Sequence, residues 1–211
     1  MPTPAATEAR RGSTRSTRAK PLSPPERRAA IIEATVPLLR SRGPAVTTKE
    51  IADAAGVAEG TIFGVFPDKE ALLDEAIKSA LDPAPIKAQI AAIDLDLDLE
   101  QRLIRAVEII QAHLGTIWAL TSTVGLSRLV AEREDTEQEP RSLAWETLAP
   151  VIAPDEDRLS RAPSEAARAL LGLAWASCHP MLVGDSPTPA SEVVALLLDG
   201  IRASHRSGTR R

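Results

Sequence analysis

Thr47, Glu50, Glu59, Thr61 and Lys69 are polar side chains of one stretch, Val46 to Lys69, and their spacing suits contact with phosphates and base edges rather than catalysis. Thr47 and Glu50 form a capping box. The Thr47 hydroxyl accepts from the Glu50 N–H, and the Glu50 carboxylate reaches back to the Thr47 N–H. Val46 and Ile51 flank the cap where a hydrophobic staple packs. The box predicts a helix from Thr48, with Ile51, Ala52 and Ala55 on one apolar face. Gly56 stops it, as a left-handed residue does at a helix end. A second helix opens near Ala58 and carries Thr61, Ile62 and Phe63. Ala52 is small where the two helices cross, and Val57 and Ile62 fill the angle between them. This is the helix-turn-helix pattern, whose second helix enters the major groove of DNA.

Asp68 is placed to cap the next helix, carried by Leu72, Leu73, Ile77 and Leu81. Lys69 sits in its first turn, where a cation opposes the helix dipole. A phosphate there would be held by the lysine and the free N–H groups together.

The residues of this region resemble the tetracycline-repressor-like (TetR) regulators. The matching positions begin with Arg28-Ala29-Ala30-Ile31-Ile32, Ala34, Leu38-Leu39 and Gly43. They continue with Thr47-Thr48, Ile51-Ala52, Ala55-Gly56-Val57, Gly60-Thr61-Ile62-Phe63, Phe66 and Lys69-Glu70-Ala71-Leu72-Leu73. The resemblance covers roughly residues 27 to 81; beyond Leu81 that family is defined by architecture rather than motif. It implies an all-α protein of about nine to ten helices: a three-helix head with the helix-turn-helix, and a larger helical ligand-binding and dimerisation domain. The DNA contacts it implies are Thr47, Thr48, Ala58, Glu59 and Gly60. Thr61, Phe63, Gly64 and Lys69 complete them.

Departures from the pattern carry information. The family has a serine where Ala58 stands, so the second helix lacks its cap. It has a tyrosine at Phe63 and histidine or tyrosine at Val65, both phosphate partners. Gly64 costs about 1 kcal/mol of helix stability relative to alanine. Ala58 to Val65 contains no Arg, Lys, Asn or Gln, the usual bidentate readers of guanine and adenine. Glu59 can accept from a cytosine amino group, and Thr61 or Ala58 can touch a thymine methyl. Sequence reading weaker or more indirect than is typical follows.

The whole chain frames this head. Its 211 residues suffice for one or two domains, with 44% hydrophobic and 26% charged residues, the balance of a soluble globular protein. Net charge is −4, but residues 1–81 carry 12 basic and 10 acidic side chains and residues 82–211 carry 13 and 19. The positive excess thus lies with the head. A single cysteine, Cys178, excludes an intramolecular disulfide or a cysteine cluster for metal, and fits a reducing cytoplasm. No run of apolar residues approaches membrane-spanning length, and the basic N-terminus lacks the apolar segment of a secretory signal.

The chain divides into a disordered basic arm over 1–24, the DNA-binding domain over 25–81, a regulatory and dimerisation domain over 82–204 and a flexible tail over 205–211. The arm carries Arg10, Arg11, Arg15, Arg18 and Lys20, suited to phosphates or the minor groove. Helices are expected over Pro25–Arg42, Ile86–Ile93, Leu99–Leu120, Ser122–Glu134, Ser142–Ile152, Ser164–Cys178 and Ala190–Ala203, with Ser164 as a cap. Pro37 removes one hydrogen bond inside the first and should bend it. Asp94, Asp96 and Asp98 suggest a calcium loop, which fails at Leu99 and Arg105 where glycine and glutamate are needed.

Val193, Val194, Leu197 and Ile201 lie on a helix apolar nearly all round, which must be covered on all sides. With Leu170, Leu173 and Ala174 they are the expected dimer interface, a four-helix arrangement as the resemblance implies. Trp118, Trp145 and Trp175, with Leu114, Leu148 and Met181, are the expected lining of a chamber for a small, mainly apolar effector. His113 and Thr121 are its polar members. No cofactor or metal is expected. The reading is a cytoplasmic, ligand-responsive, dimeric regulator, and a repressor by family resemblance, on a palindromic site in double-stranded DNA. A helical interaction module with lost DNA binding is the alternative. An enzyme has little support: three histidines, an adjacent Cys178-His179 pair whose side chains diverge on a helix, and no phosphate loop.

Overall fold

The computed structural model describes residues 22–125, 145–184 and 186–201, and its regular elements are helices. The basic arm up to residue 21, the expected loop Asp135–Pro140 and the tail lie outside the described residues.

Helix α1, Pro24–Arg42, begins one residue before the expected start because Ser23 builds a second capping box with Glu26. The Ser23 N–H donates to the Glu26 carboxylate at 2.8 Å. The helix passes through Pro37 as one element. Helices α2, Thr48–Ala55, α3, Glu59–Val65, and α4, Lys69–Leu81, pack against it. Ile31, Leu39, Val46, Ile51, Ile62, Phe66, Leu72 and Ile77 are buried in one core. Arg28 pins the edge of this unit. Its guanidinium donates to the Glu75 carboxylate of α4 and to the Val65 carbonyl at 2.8 Å, and lies 4.4 Å from the centre of the Phe66 ring.

The second unit starts after the Asp82-Pro83 break with α5, Ala84–Ala91. Helix α6, Leu99–Val124, follows; Asp98 caps it by accepting the Gln101 N–H at 2.8 Å. Asp94 accepts the Asp96 N–H at 3.0 Å, so these carboxylates are used by the turn and the cap. Next come a 3-10 turn at Trp145–Thr147, the short α7, Ala149–Ile152, and a 3-10 segment, Ala153–Arg158. Helices α8, Pro163–Ala176, α9, Pro180–Val183, and α10, Ala190–Ile201, complete the described chain.

Several expected boundaries move for physical reasons. Pro150 lacks an N–H donor, so the described part of the expected Ser142–Ile152 helix is broken into short turns. Ser164 is not a cap: Ala162 holds that position and Pro163 opens α8, where its missing N–H leaves nothing unsatisfied. Helix α6 does not stop at Leu120 with a new helix at Ser122, but continues unbroken to Val124. At 26 residues, with a mean hydropathy of 1.2 over its most apolar window, it is long and apolar enough to cross a bilayer by length and composition, contrary to the expectation that no such segment exists. Here that apolar character serves two protein cores. Leu103, Val107 and Ile110 are buried with α5, α7, α8 and α10, while Leu120 is buried in the core of the head.

The interior of the second unit is tied by Arg102, a residue that sequence patterning passes over. Its side chain is 3% exposed and donates to the carbonyls of Val151, Leu95 and Leu97 at 2.9, 2.9 and 2.6 Å, and to the Asp155 carboxylate. That hydrogen bond, reinforced by Arg158, holds the Asp155 carboxyl below the usual carboxylate range. A carboxylate with a depressed native pKa contributes stability above its unfolded value and loses it as pH falls through the native one. Replacing Arg102 by Met strips donors from three carbonyls and leaves Asp155 with Arg158 as its remaining cationic partner. We expect Arg102→Met to lower the unfolding free energy by about 3–5 kcal/mol in urea titrations. Asp155→Asn should flatten the loss of stability below the ordinary carboxylate range, and an unchanged acid limb would contradict the assignment.

Candidate nucleic-acid interface

The helix-turn-helix is built by local signals. Thr47 accepts the Glu50 N–H at 3.2 Å and its own N–H donates to the Glu50 carboxylate at 2.8 Å. Arg42 pairs with the same carboxylate, joining the end of α1 to the start of α2. Gly56 is left-handed at φ 67°, ψ 32°, and the Val57 N–H donates to the Ala52 carbonyl at 3.0 Å, which closes the turn. Ala58 stands at the cap position of α3 and makes no side-chain bond there.

One face of α3 is open. Ala58, Glu59, Gly60, Phe63 and Gly64 are exposed, whereas Thr61 is half-buried and Ile62 is wholly inside the core. Glu59 is not free: the Thr48 hydroxyl of α2 donates to its carboxylate. Two of the expected DNA contacts therefore hold each other across the motif. Lys69 is half-buried at the start of α4, and its ammonium donates to the Pro44 carbonyl at 2.7 Å. The helix it opens is capped by Asp68, which accepts the Ala71 N–H at 2.8 Å. Lys69 thus ties the segment before α2 to the first turn of α4.

The head is joined to the second unit through the end of α6. Leu120 is buried against the head, and the Thr123 hydroxyl donates to the Leu39 carbonyl at 3.1 Å. Gly43 makes this approach possible. It has φ 59° and ψ −152°, a conformation nearly restricted to glycine, and a Cβ there would meet the Thr123 carbonyl oxygen at 2.7 Å. His113, further back on α6, is half-buried. Burial pushes its pKa down, and the Asp82 carboxylate at the end of α4 partly opposes this.

The residues expected to line an effector chamber are only partly brought together. Trp118 and Trp175 meet edge-on with ring centres 5.6 Å apart. His179, weighed in the sequence only as the neighbour of Cys178, lies against both at 4.5 and 4.6 Å. Leu148 is buried in the core, and Leu114 packs against it. Trp145 also packs there, with the Arg168 guanidinium 4.9 Å from its ring centre. Met181 is 89% exposed and lines no interior, because α9 is a single turn at the surface. Thr121 donates to the Ile117 carbonyl of its own helix. Cys178, beneath the ring cluster, is buried, and burial pushes its thiol pKa up.

The expected dimer residues are corrected more sharply. Leu170, Ala174, Val193, Val194 and Leu197 are 4% exposed or less, all inside the chain's own core, and Leu173 is half-buried against it. The Ile201 side chain lies outside the described residues. What faces outward is Glu165, Arg168, Ala169, Gly172 and Trp175 on α8, and Ser191, Glu192, Ala195, Leu196, Asp199 and Gly200 on α10, with Leu196 66% exposed.

A capped helix, a left-handed turn and a second helix with one open face, mounted on an all-helical body, define a DNA-binding regulator of the helix-turn-helix class. Residues 31–76 match the family described as "Bacterial regulatory proteins, tetR family". Over 191 residues the chain is 28% identical to the HTH-type transcriptional repressor KstR2 of Rhodococcus jostii, spanning 85% of this chain and 93% of that protein. A tetR-family regulator of Mesorhizobium loti has the same fold, with a TM-score of 0.59 at 18% identity over 87% of this chain and 100% of its own. A Streptomyces coelicolor tetR-family regulator aligns with a TM-score of 0.52 at 22% identity over 84% of this chain and 80% of its own.

The uncapped start of α3 yields a direct expectation. Ala58→Ser supplies the missing acceptor for the first turn, and thermal unfolding should show the protein stabilised by about 1 kcal/mol. A variant no more stable than the parent would mean that the Ala58 backbone cannot present a serine hydroxyl to those N–H groups.

Proposed function

We propose that the protein is a cytoplasmic, effector-responsive transcriptional repressor that binds a palindromic DNA site as a dimer. The observation that carries this reading is the sharing of α6 between two cores. Leu103, Val107 and Ile110 anchor it in the body and Leu120 anchors it in the head. A molecule that prefers one packing of the body thereby prefers one placement of the head, which is how differential binding shifts a population. The repressor assignment is supported by the relative from Rhodococcus jostii, which bears that description.

The effector reading rests on Trp118, Trp175 and His179, which meet beside a stretch of α6 that stays half-buried from His113 to Ala119. Rings of this kind suit a mainly apolar small molecule. The dimer reading rests on the outward faces of α8 and α10. Ala169 and Gly172 let a partner helix approach closely, and Leu196 is a large apolar side chain with nothing from its own chain over most of it. Two protomers joined there would present two α3 segments to half-sites about one helical turn apart. Lys69 is the proposed phosphate contact, exchanging the Pro44 carbonyl for a backbone oxygen of DNA.

The competing reading, a helical interaction module without DNA binding, is favoured by one observation: Glu59 and Lys69, both charged groups of the interface, already have partners inside the protein. Binding to selected genomic fragments across a salt series separates the two. A linear fall of log affinity with log salt supports the repressor, with Lys69→Ala weakening all fragments and reducing the slope by about 1. No fragment bound above background at low salt would support the module. Leu196→Glu should convert a two-chain species to a single-chain species in light scattering, with the helical circular-dichroism signal kept. A parent protein already at single-chain mass overturns the dimer.

A further inference from the structure

We infer that Phe63 reads the C5-methyl groups of thymine in the major groove, making the site specific through apolar contact rather than through hydrogen bonds. The inference rests on the DNA-binding reading above and names what that surface recognises.

The argument starts from what α3 offers. Its exposed positions are Glu59, Gly60, Phe63 and Gly64, preceded by exposed Ala58. Glu59 is the one charged group among them and is held by the Thr48 hydroxyl. That leaves Phe63, 54% exposed, as the one large side chain of α3 free to reach outward. A phenyl ring has no donor for phosphate. It can, however, pack on a methyl group, and among the bases in the major groove thymine alone carries one.

The glycines on either side support a close approach. Gly60 and Gly64 lie inside a helix at ordinary negative φ, where glycine is unfavourable. Neither is required by internal packing, since a Cβ built at either position meets nothing within 4 Å. Phe63 stands three residues from Gly60 and four from Glu59, so its neighbours within α3 on that face are a glycine and a carboxylate already held by Thr48. Such a surface brings the helix axis deep into the groove while the ring covers base edges. Ala58, at the start of the same face, adds a methyl group of its own.

The test uses the full chain and a duplex selected from genomic fragments by binding. Thymine is replaced by uracil at each position of the bound half-sites, which removes the methyl and leaves every hydrogen-bonding group in place. The parent protein should lose about fourfold in affinity for each contacted methyl. Phe63→Ala should bind more weakly and show no preference between the thymine and uracil duplexes. Its melting temperature should match that of the parent, because the ring is largely outside the core. A parent protein indifferent to uracil, or a Phe63→Ala variant that keeps the full thymine preference, overturns the inference while leaving DNA binding intact. Failure of the parent to bind any duplex overturns the reading beneath it instead.

Discussion

The structure depends on one helix belonging to two hydrophobic cores. Helix α6 is 26 residues long, roughly 39 Å at the rise of an α-helix. Its first half is buried among α5, α7, α8 and α10, and Leu120 near its end is buried with α1 to α4. The helix is continuous from one core to the other, with its backbone hydrogen bonds unbroken over that length. Sliding or tilting it must therefore disturb one core or the other. Fully burying a leucine stabilises by roughly 1.5–3 kcal/mol, the same scale as the coupling energies of allosteric proteins. Leu120, with Val124 beside it and the Thr123 hydroxyl on the Leu39 carbonyl, joins α6 to the head through a small set of contacts on that scale.

The contact also dictates a residue far from it in sequence. α1 and α6 approach so closely that Gly43 has the Thr123 carbonyl oxygen where a Cβ would be, and its own φ is positive. Two independent constraints, space and backbone conformation, fall on one position. The Thr123 hydroxyl donates to the Leu39 carbonyl, which also accepts the Gly43 N–H that closes α1. Recognition helix α3 is treated differently. It is seven residues long and uncapped, and it is held by its neighbours: Ile62 inside the core, Arg28 on the Val65 carbonyl, and Thr48 on Glu59.

Much of the head was legible because its signals are local. Thr47 with Glu50, Gly56 and Asp68 each act within three or four residues, so spacing alone reveals them. The body was less so. Arg102 occupies a position that apolar periodicity skips, and its partners Val151 and Asp155 lie about 50 residues away. The apolar pattern of α10 suggests a partner-facing surface, yet Val193, Val194 and Leu197 turn to the chain's own core, and Leu196 alone among its large described side chains points out. Periodicity tells that a face is covered but not by what. The pattern anticipates a break after Cys178 but not that it sets the His179 ring against Trp118 and Trp175. Met181 was placed inside on hydrophobicity, but a one-turn helix at the surface has no interior side to offer.

The distribution of rings between the two units has an optical consequence. The chain has no tyrosine; its three tryptophans belong to the body, and its two phenylalanines, Phe63 and Phe66, to the head. Emission excited at the red edge of the protein absorption band therefore originates from the body alone. Trp118 and Trp175 are in ring contact with each other and with His179, which makes two of the three emitters sensitive to any displacement at that point. The head is silent in the same window, so the response of the body can be followed with DNA bound and without a label.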